Sequence, residues 1–136
     1  MIDLSKPLVP DLITPRAFES GGNILNQKDI VGWWARHEFD GITYTVGRSA
    51  YNYNFRKVIV SCREFDNANL YGDRRFRQCT GSHMKFYVAV RKDQAIITSA
   101  NLVAPTLNEI AYLITNKSEV QRLRRYFNQV WKSLEQ

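Results

Sequence analysis

The spacing of apolar residues divides the chain into a helix, a run of strands and a second helix. Ile30, Val31, Trp33 and Trp34 fall on one face of a 3.6-residue period, and Asn26 followed by Gln27, Lys28 and Asp29 has the polar character of a helix start. A first helix is predicted from there through His37, which reads as a surface or capping residue, with Trp33 and Trp34 in the core or at a dimer surface. Two β-rich runs follow, from Ile42 to Val46 and from Lys57 to Cys62, separated by the turn-prone stretch from Ser49 to Asn54. Residues 63 to 82 are polar and carry Gly72, Gly81 and three arginines, which predicts an irregular connection with at most a short helix.

Three more strands are predicted over residues 83 to 90, 94 to 101 and 109 to 114. From Ser118 to Leu134 the helical period returns: Val120, Leu123, Phe127, Val130, Trp131 and Leu134 share one face, and Arg122, Arg125, Asn128 and Lys132 the other. Strands between flanking helices define an α/β domain with a mixed β-sheet covered on at least one side. Three of the four prolines lie at 7, 10 and 15, so residues 1 to 22 read as an extended amino-terminal arm and 23 to 136 as the single folded domain.

The 136 residues are enough for one core and too few for two, and a hydrophobic fraction of 44% argues against disorder. Nineteen basic residues against 13 acidic ones leave a net charge of +6, which favours anionic partners such as nucleic acid or phospholipid headgroups. Cys62 and Cys79 form no metal-binding spacing and no disulfide framework, so a reducing compartment is the simpler reading and Cys62, closing a strand, is expected to be buried. The amino terminus lacks the apolar core of a signal peptide and no stretch is long enough to span a bilayer, so a cytoplasmic protein with no membrane association is expected.

The segment from His83 to Asn101 carries the candidate chemistry. If it is a hairpin turning on Lys92, His83 lies opposite Asn101 and Lys85 opposite Ser99. Side chains two apart on a strand share a face, so these four polar groups are expected on one surface, with Phe86, Val88, Val90, Ile96 and Ile97 supplying core. An imidazole can attack phosphorus, while a lysine, a hydroxyl and an asparagine amide can hold the non-bridging oxygens of a pentacoordinate transition state; neither a metal nor another cofactor is called for. The histidine needs a partner to fix its tautomer, and Glu109, opening the next strand, is the best-placed carboxylate by order.

The run His83-Met84-Lys85 resembles the His-x-Lys signature of the phospholipase D superfamily. Ser99-Ala100-Asn101 resembles its Ser-x-Asn element, and the stretch from Asn108 to Ile114 its acidic strand, with an amphipathic helix after it. The resemblance covers about residues 57 to 136. Val90 stands where the family usually has an aspartate, Asp93 coming three later; Thr98 replaces the glycine before the serine, and the His-to-Ser interval is one residue longer than usual.

What the resemblance implies is the phospholipase D/nuclease-like mixed sheet of the single-motif nuclease type and a two-step reaction. His83 attacks a phosphodiester to give a phosphohistidine, and a second histidine protonates the leaving oxygen and then activates water. Single-motif chains of the family dimerise so that two copies share one cleft, which implies a homodimer. Arg74, Arg75 and Arg77 just before His83, with Arg48, Tyr51 and Tyr53, are the candidate substrate-binding residues, because cations bind phosphates and aromatics stack on bases. The expected function is an endonuclease acting on DNA or RNA. The alternatives are a catalytically inactive nucleic-acid-binding or protein-interaction scaffold, and transfer of phosphatidyl or other small phosphodiesters.

Overall fold

The computed structural model describes residues 3–5, 23–63, 70, 72–103 and 108–134. The arm expected over residues 1 to 22 lies outside them except for Asp3, Leu4 and Ser5. The elements in chain order are β1 (Asn23–Asn26), α1 (Gln27–Arg36), β2 (Phe39–Thr43), a 3-10 helix (Arg48–Asn52), β3 (Phe55–Val60), β4 (Phe76–Gln78), β5 (Phe86–Ala89), β6 (Ala95–Thr98), β7 (Ile110–Ile114) and α2 (Lys117–Ser133). The seven strands form one mixed sheet in the order β1-β7-β6-β5-β2-β3-β4. Strands β2, β3 and β4 run parallel, and the other neighbours are antiparallel.

Alternation along the strands builds two cores. Phe39, Val58, Val60, Tyr87, Ile96 and Ala111 point to one face, where Ile30, Trp33 and Trp34 of α1 cover them. Ile42, Ile59, Phe86, Val88, Ala95 and Ile114 point to the other, under Val120, Leu123, Phe127, Val130 and Trp131 of α2. Asn26 caps α1 through a capping box: its side-chain oxygen accepts from the Asp29 N–H, and the Asp29 carboxylate accepts from the Asn26 N–H. His37 takes the C-cap, its N–H bonded to Trp33 O.

Several boundaries differ from the sequence pattern, each for a local reason. Strand β2 begins at Phe39 and ends at Thr43, earlier than the predicted run, because Asp40 is tolerated inside it: its carboxylate accepts from Arg56 Nε at 2.9 Å, Arg56 Nη2 at 2.5 Å and the Lys57 N–H at 3.2 Å. Gly41 follows, where a Cβ would run into the Tyr87 ring and come within 2.8 Å of Phe86 O. Strand β4 falls inside the stretch predicted as irregular; at three residues it has no period of its own and takes its pairing from β3. The 3-10 helix occupies the predicted turn before β3 and tucks Ala50 into the α1-side core.

The β5–β6 register is one residue off the expected one. Phe86 faces Ile97, Tyr87 faces Ile96 and Val88 faces Ala95, so the turn is centred between Arg91 and Lys92 instead of on Lys92. His83 and Lys85 precede the ladder, and Ser99 and Asn101 follow it. The predicted pairs His83–Asn101 and Lys85–Ser99 therefore do not form, and Thr98 N–H bonds Lys85 O instead.

Candidate active site

Strands β2, β3, β4 and β6 end, and β5 and β7 begin, at the same edge of the domain. His83 and Lys85 lie just before β5, Ser99 and Asn101 just after β6, and Glu109 just before β7. All five predicted catalytic residues are thus at one end of the sheet, gathered by strand termini and not by hairpin register. The carboxyl ends of parallel strands are where α/β sheets open into ligand crevices. Such a crevice is present, a cleft of about 710 Å³ whose wall includes Tyr44, Ser61, Cys62, Thr80 and His83.

Local bonds set each group. Lys85 Nζ donates to His83 Nδ1 at 2.9 Å and to His83 O at 2.8 Å, and the lysine is buried while the imidazole is exposed. An ammonium has only donors, so Nδ1 is the acceptor and the neutral imidazole carries its proton on Nε2. The Tyr44 ring lies against the imidazole with centroids 4.7 Å apart. Ser99 Oγ donates to Glu109 Oε2 and accepts from the Ile110 N–H at 3.4 Å.

Asn101 is anchored through its oxygen, which accepts from the Tyr44 N–H at 3.2 Å, the Thr45 N–H at 3.4 Å and Thr43 Oγ1 at 3.3 Å. Its Nδ2 has no partner among the described residues and stays available as a two-proton donor. The buried Tyr87 hydroxyl ties this loop to the core, donating to Ala100 O at 2.9 Å, with Thr43 Oγ1 at 3.1 Å. Gly81, with φ of 99°, makes the left-handed step into the His83 segment.

Burial holds the Lys85 ammonium below the usual lysine range, and the nearby Glu109 acts in the opposite sense. The folded chain therefore releases this proton before the unfolded chain does, so charged Lys85 is a cost to folding below its folded pKa that is relieved as the pH rises through it. Lys85→Met is expected to compare best with wild type near neutral pH and to lose ground as the pH approaches the unfolded lysine value of 10.5. Urea unfolding of both proteins across that range checks this; a constant stability difference would contradict it.

The predicted substrate-binding residues are dispersed. Arg48 is exposed and follows Gly47, whose N–H bonds Leu102 O at 2.9 Å, next to the Asn101 anchor. Tyr51, Tyr53, Arg74 and Arg75 lie at the opposite end of the sheet, where β3 and β4 start. There Arg75 pairs with Asp73 at 2.9 Å and stacks on Phe55 and Tyr51. Tyr53 packs on Trp34. Arg77 lies over Trp131 and donates to its carbonyl at 2.7 Å, on the α2 face.

Tyr44, Ser61 and Thr80 are the site residues that sequence reasoning missed. Their common signal is a polar or aromatic residue just past the end of a parallel strand, which is legible only once β2, β3 and β4 are known to be parallel. Cys62 lies two residues beyond β3 in the cleft wall and is half-buried, where the sequence suggested a buried strand end. Among the described residues no three His, Cys, Asp or Glu side chains come together, and no helix is long and apolar enough to cross a membrane.

No protein-family model and no curated protein matches the sequence. Solved structures do match. The chain is similar to NucT from Helicobacter pylori with a TM-score of 0.62 and 12% identity, over 83% of this chain and 96% of NucT. It is also similar to TrmBL2, an archaeal chromatin protein whose structure shows a novel mode of DNA binding, with a TM-score of 0.54 and 7% identity, over 84% of this chain and 53% of TrmBL2. The chain thus spans nearly all of NucT and about half of TrmBL2. At these identities the likeness is one of fold: a single α/β domain with a mixed sheet flanked by helices, consistent with the fold of NucT.

Proposed function

We propose that the protein is a phosphodiesterase that needs no metal, an endonuclease cleaving DNA or RNA through a phosphohistidine on His83 in a site shared by two copies of the chain. The observation that carries this reading is the gathering of His83, Lys85, Ser99, Asn101 and Glu109 at one sheet end beside an open cleft. The fold shared with NucT and the charge of +6 support a nucleic-acid substrate.

In the reaction, an incoming phosphate draws the Lys85 ammonium off Nδ1. The imidazole proton moves to Nδ1, with Glu109 as its acceptor, and Nε2 becomes the nucleophile. Nε2 forms a bond to phosphorus as the bond to the leaving oxygen breaks, and that oxygen takes a proton from a second imidazolium. Water then attacks phosphorus, gives its proton to the second imidazole, and the P–N bond breaks. Lys85 Nζ and the Asn101 amide hold the non-bridging oxygens. The chain has two histidines, and His37 is at the opposite end of the sheet, so the second imidazole comes from a second copy.

One observation favours a non-catalytic nucleic-acid-binding scaffold instead. His83 Nδ1 is held by a lysine, and Glu109 is bonded to Ser99. The two readings separate in EDTA, with labelled single- and double-stranded DNA and RNA. The nuclease reading expects cleavage, and quenching in detergent at alkaline pH during turnover is expected to leave label on the protein as an acid-labile, alkali-stable phosphoramidate. Absence of both cleavage and adduct on every substrate would leave the scaffold reading.

A further inference from the structure

A second cavity, of about 650 Å³, runs beside α1 toward the end of the sheet opposite His83. Arg36, His37 and Lys92 line that far end, and Leu25 and Leu113 give it an apolar floor. Arg36 and Lys92 are exposed, and among the described residues none of the three cationic or imidazole groups has an ion-pair partner.

The acids nearby are turned to other tasks. Asp93 faces Arg124 and accepts from Gln121, and Glu38 acts on Arg56. Asp29 lines the other end of the cavity, seven residues or about 10 Å along the helix from Arg36, and caps α1. Two of the helix-end carbonyls are also taken, Trp33 O by the His37 N–H and Ala35 O by Asn54 Nδ2. Burial, with Arg36 and Lys92 acting in the same sense, holds His37 below the usual histidine range.

We infer that this groove is a second nucleic-acid contact, in which Arg36 and Lys92 hold backbone phosphate of a strand whose scissile bond is at His83. The apolar floor suits a sugar or base, and Gln94 is fixed beside it by accepting from Trp33 Nε1 at 3.2 Å. From His83 to Val90 the chain follows β5, which at about 3.3 Å per residue sets the two sites roughly 20 Å apart. A dinucleotide reaches one of them, and a longer strand reaches both. The inference rests on the nucleic-acid reading above.

The test compares the full chain with Arg36→Gln/Lys92→Gln and Arg36→Glu/Lys92→Glu, each checked by circular dichroism. Fluorescence anisotropy with a labelled single strand of about twelve nucleotides is expected to show at least a tenfold loss of affinity for the charge reversal and a salt dependence shallower by about two. Hydrolysis of a dinucleotide and of bis(4-nitrophenyl) phosphate, which needs only the His83 site, is expected to stay at wild-type levels. Equal affinity and equal salt slope for the long strand would overturn the inference. So would a loss confined to free mononucleotide, which would make the groove a nucleotide pocket. If no protein hydrolyses the small phosphodiester, the nuclease reading fails while the affinity comparison still decides the groove.

Discussion

His83→Ala is expected to lower nucleic-acid cleavage by roughly 10⁴-fold or more while leaving the unfolding midpoint close to that of wild type. The nucleophile supplies the bond that splits the displacement into two steps, and Ser99, the nearest alternative among the predicted catalytic residues, is bonded to Glu109. The folding cost is small because the imidazole is exposed and Lys85 Nζ keeps its bond to the residue-83 carbonyl. Steady-state cleavage of a labelled strand, beside a urea melt of the same preparation, gives both numbers. A variant that folds normally and keeps more than a tenth of the activity would remove His83 from the nucleophile's role and move the chemistry elsewhere in the cleft.

The two helices and the central strands were legible because each has a period or a cap of its own. Asn26 with Asp29 marks the start of α1, and Val120, Leu123 and Phe127 mark the buried stripe of α2. The misread parts depend on partners distant in sequence. Asp40 belongs to β2 because Arg56 reaches it, and Phe76 to Gln78 is a strand because β3 pairs with it. The structure brings the five candidate residues to one end of the sheet, but not through the hairpin register invoked for them. Strand ends collect them, and the one-residue slip moves Ile96 from the face of Phe86 and Val88 to that of Tyr87 while Ile97 takes its place; both faces are covered and both residues are apolar, so the pattern cannot detect it. The arginine and tyrosine candidates failed to gather at His83 for a related reason: Arg75 and Tyr51 are brought together where parallel strands start, and parallel pairing leaves no local mark in the sequence.

Trp34→Ala is expected to cost about 3–5 kcal/mol, a large share of the roughly 5–15 kcal/mol that holds a domain folded. The indole is fully buried, packed edge-on to Tyr87 at 5.4 Å and against Tyr53 at 5.3 Å, and alanine leaves a cavity between α1 and the sheet. Trp34→Phe is expected to cost much less, because Trp34 Nε1 is buried without a hydrogen-bond partner among the described residues, and phenylalanine removes that penalty of about 1–3 kcal/mol along with the lost volume. Trp33 makes the contrast: its Nε1 donates to Gln94, so Trp33→Phe strands a half-buried carbonyl as well as shrinking the ring. Urea midpoints are therefore expected to fall in the order Trp34→Phe, Trp33→Phe, Trp34→Ala. A Trp34→Phe variant less stable than Trp33→Phe would mean that the Trp34 N–H finds a partner in solution, and that the packing between α1 and the sheet differs there from the arrangement described.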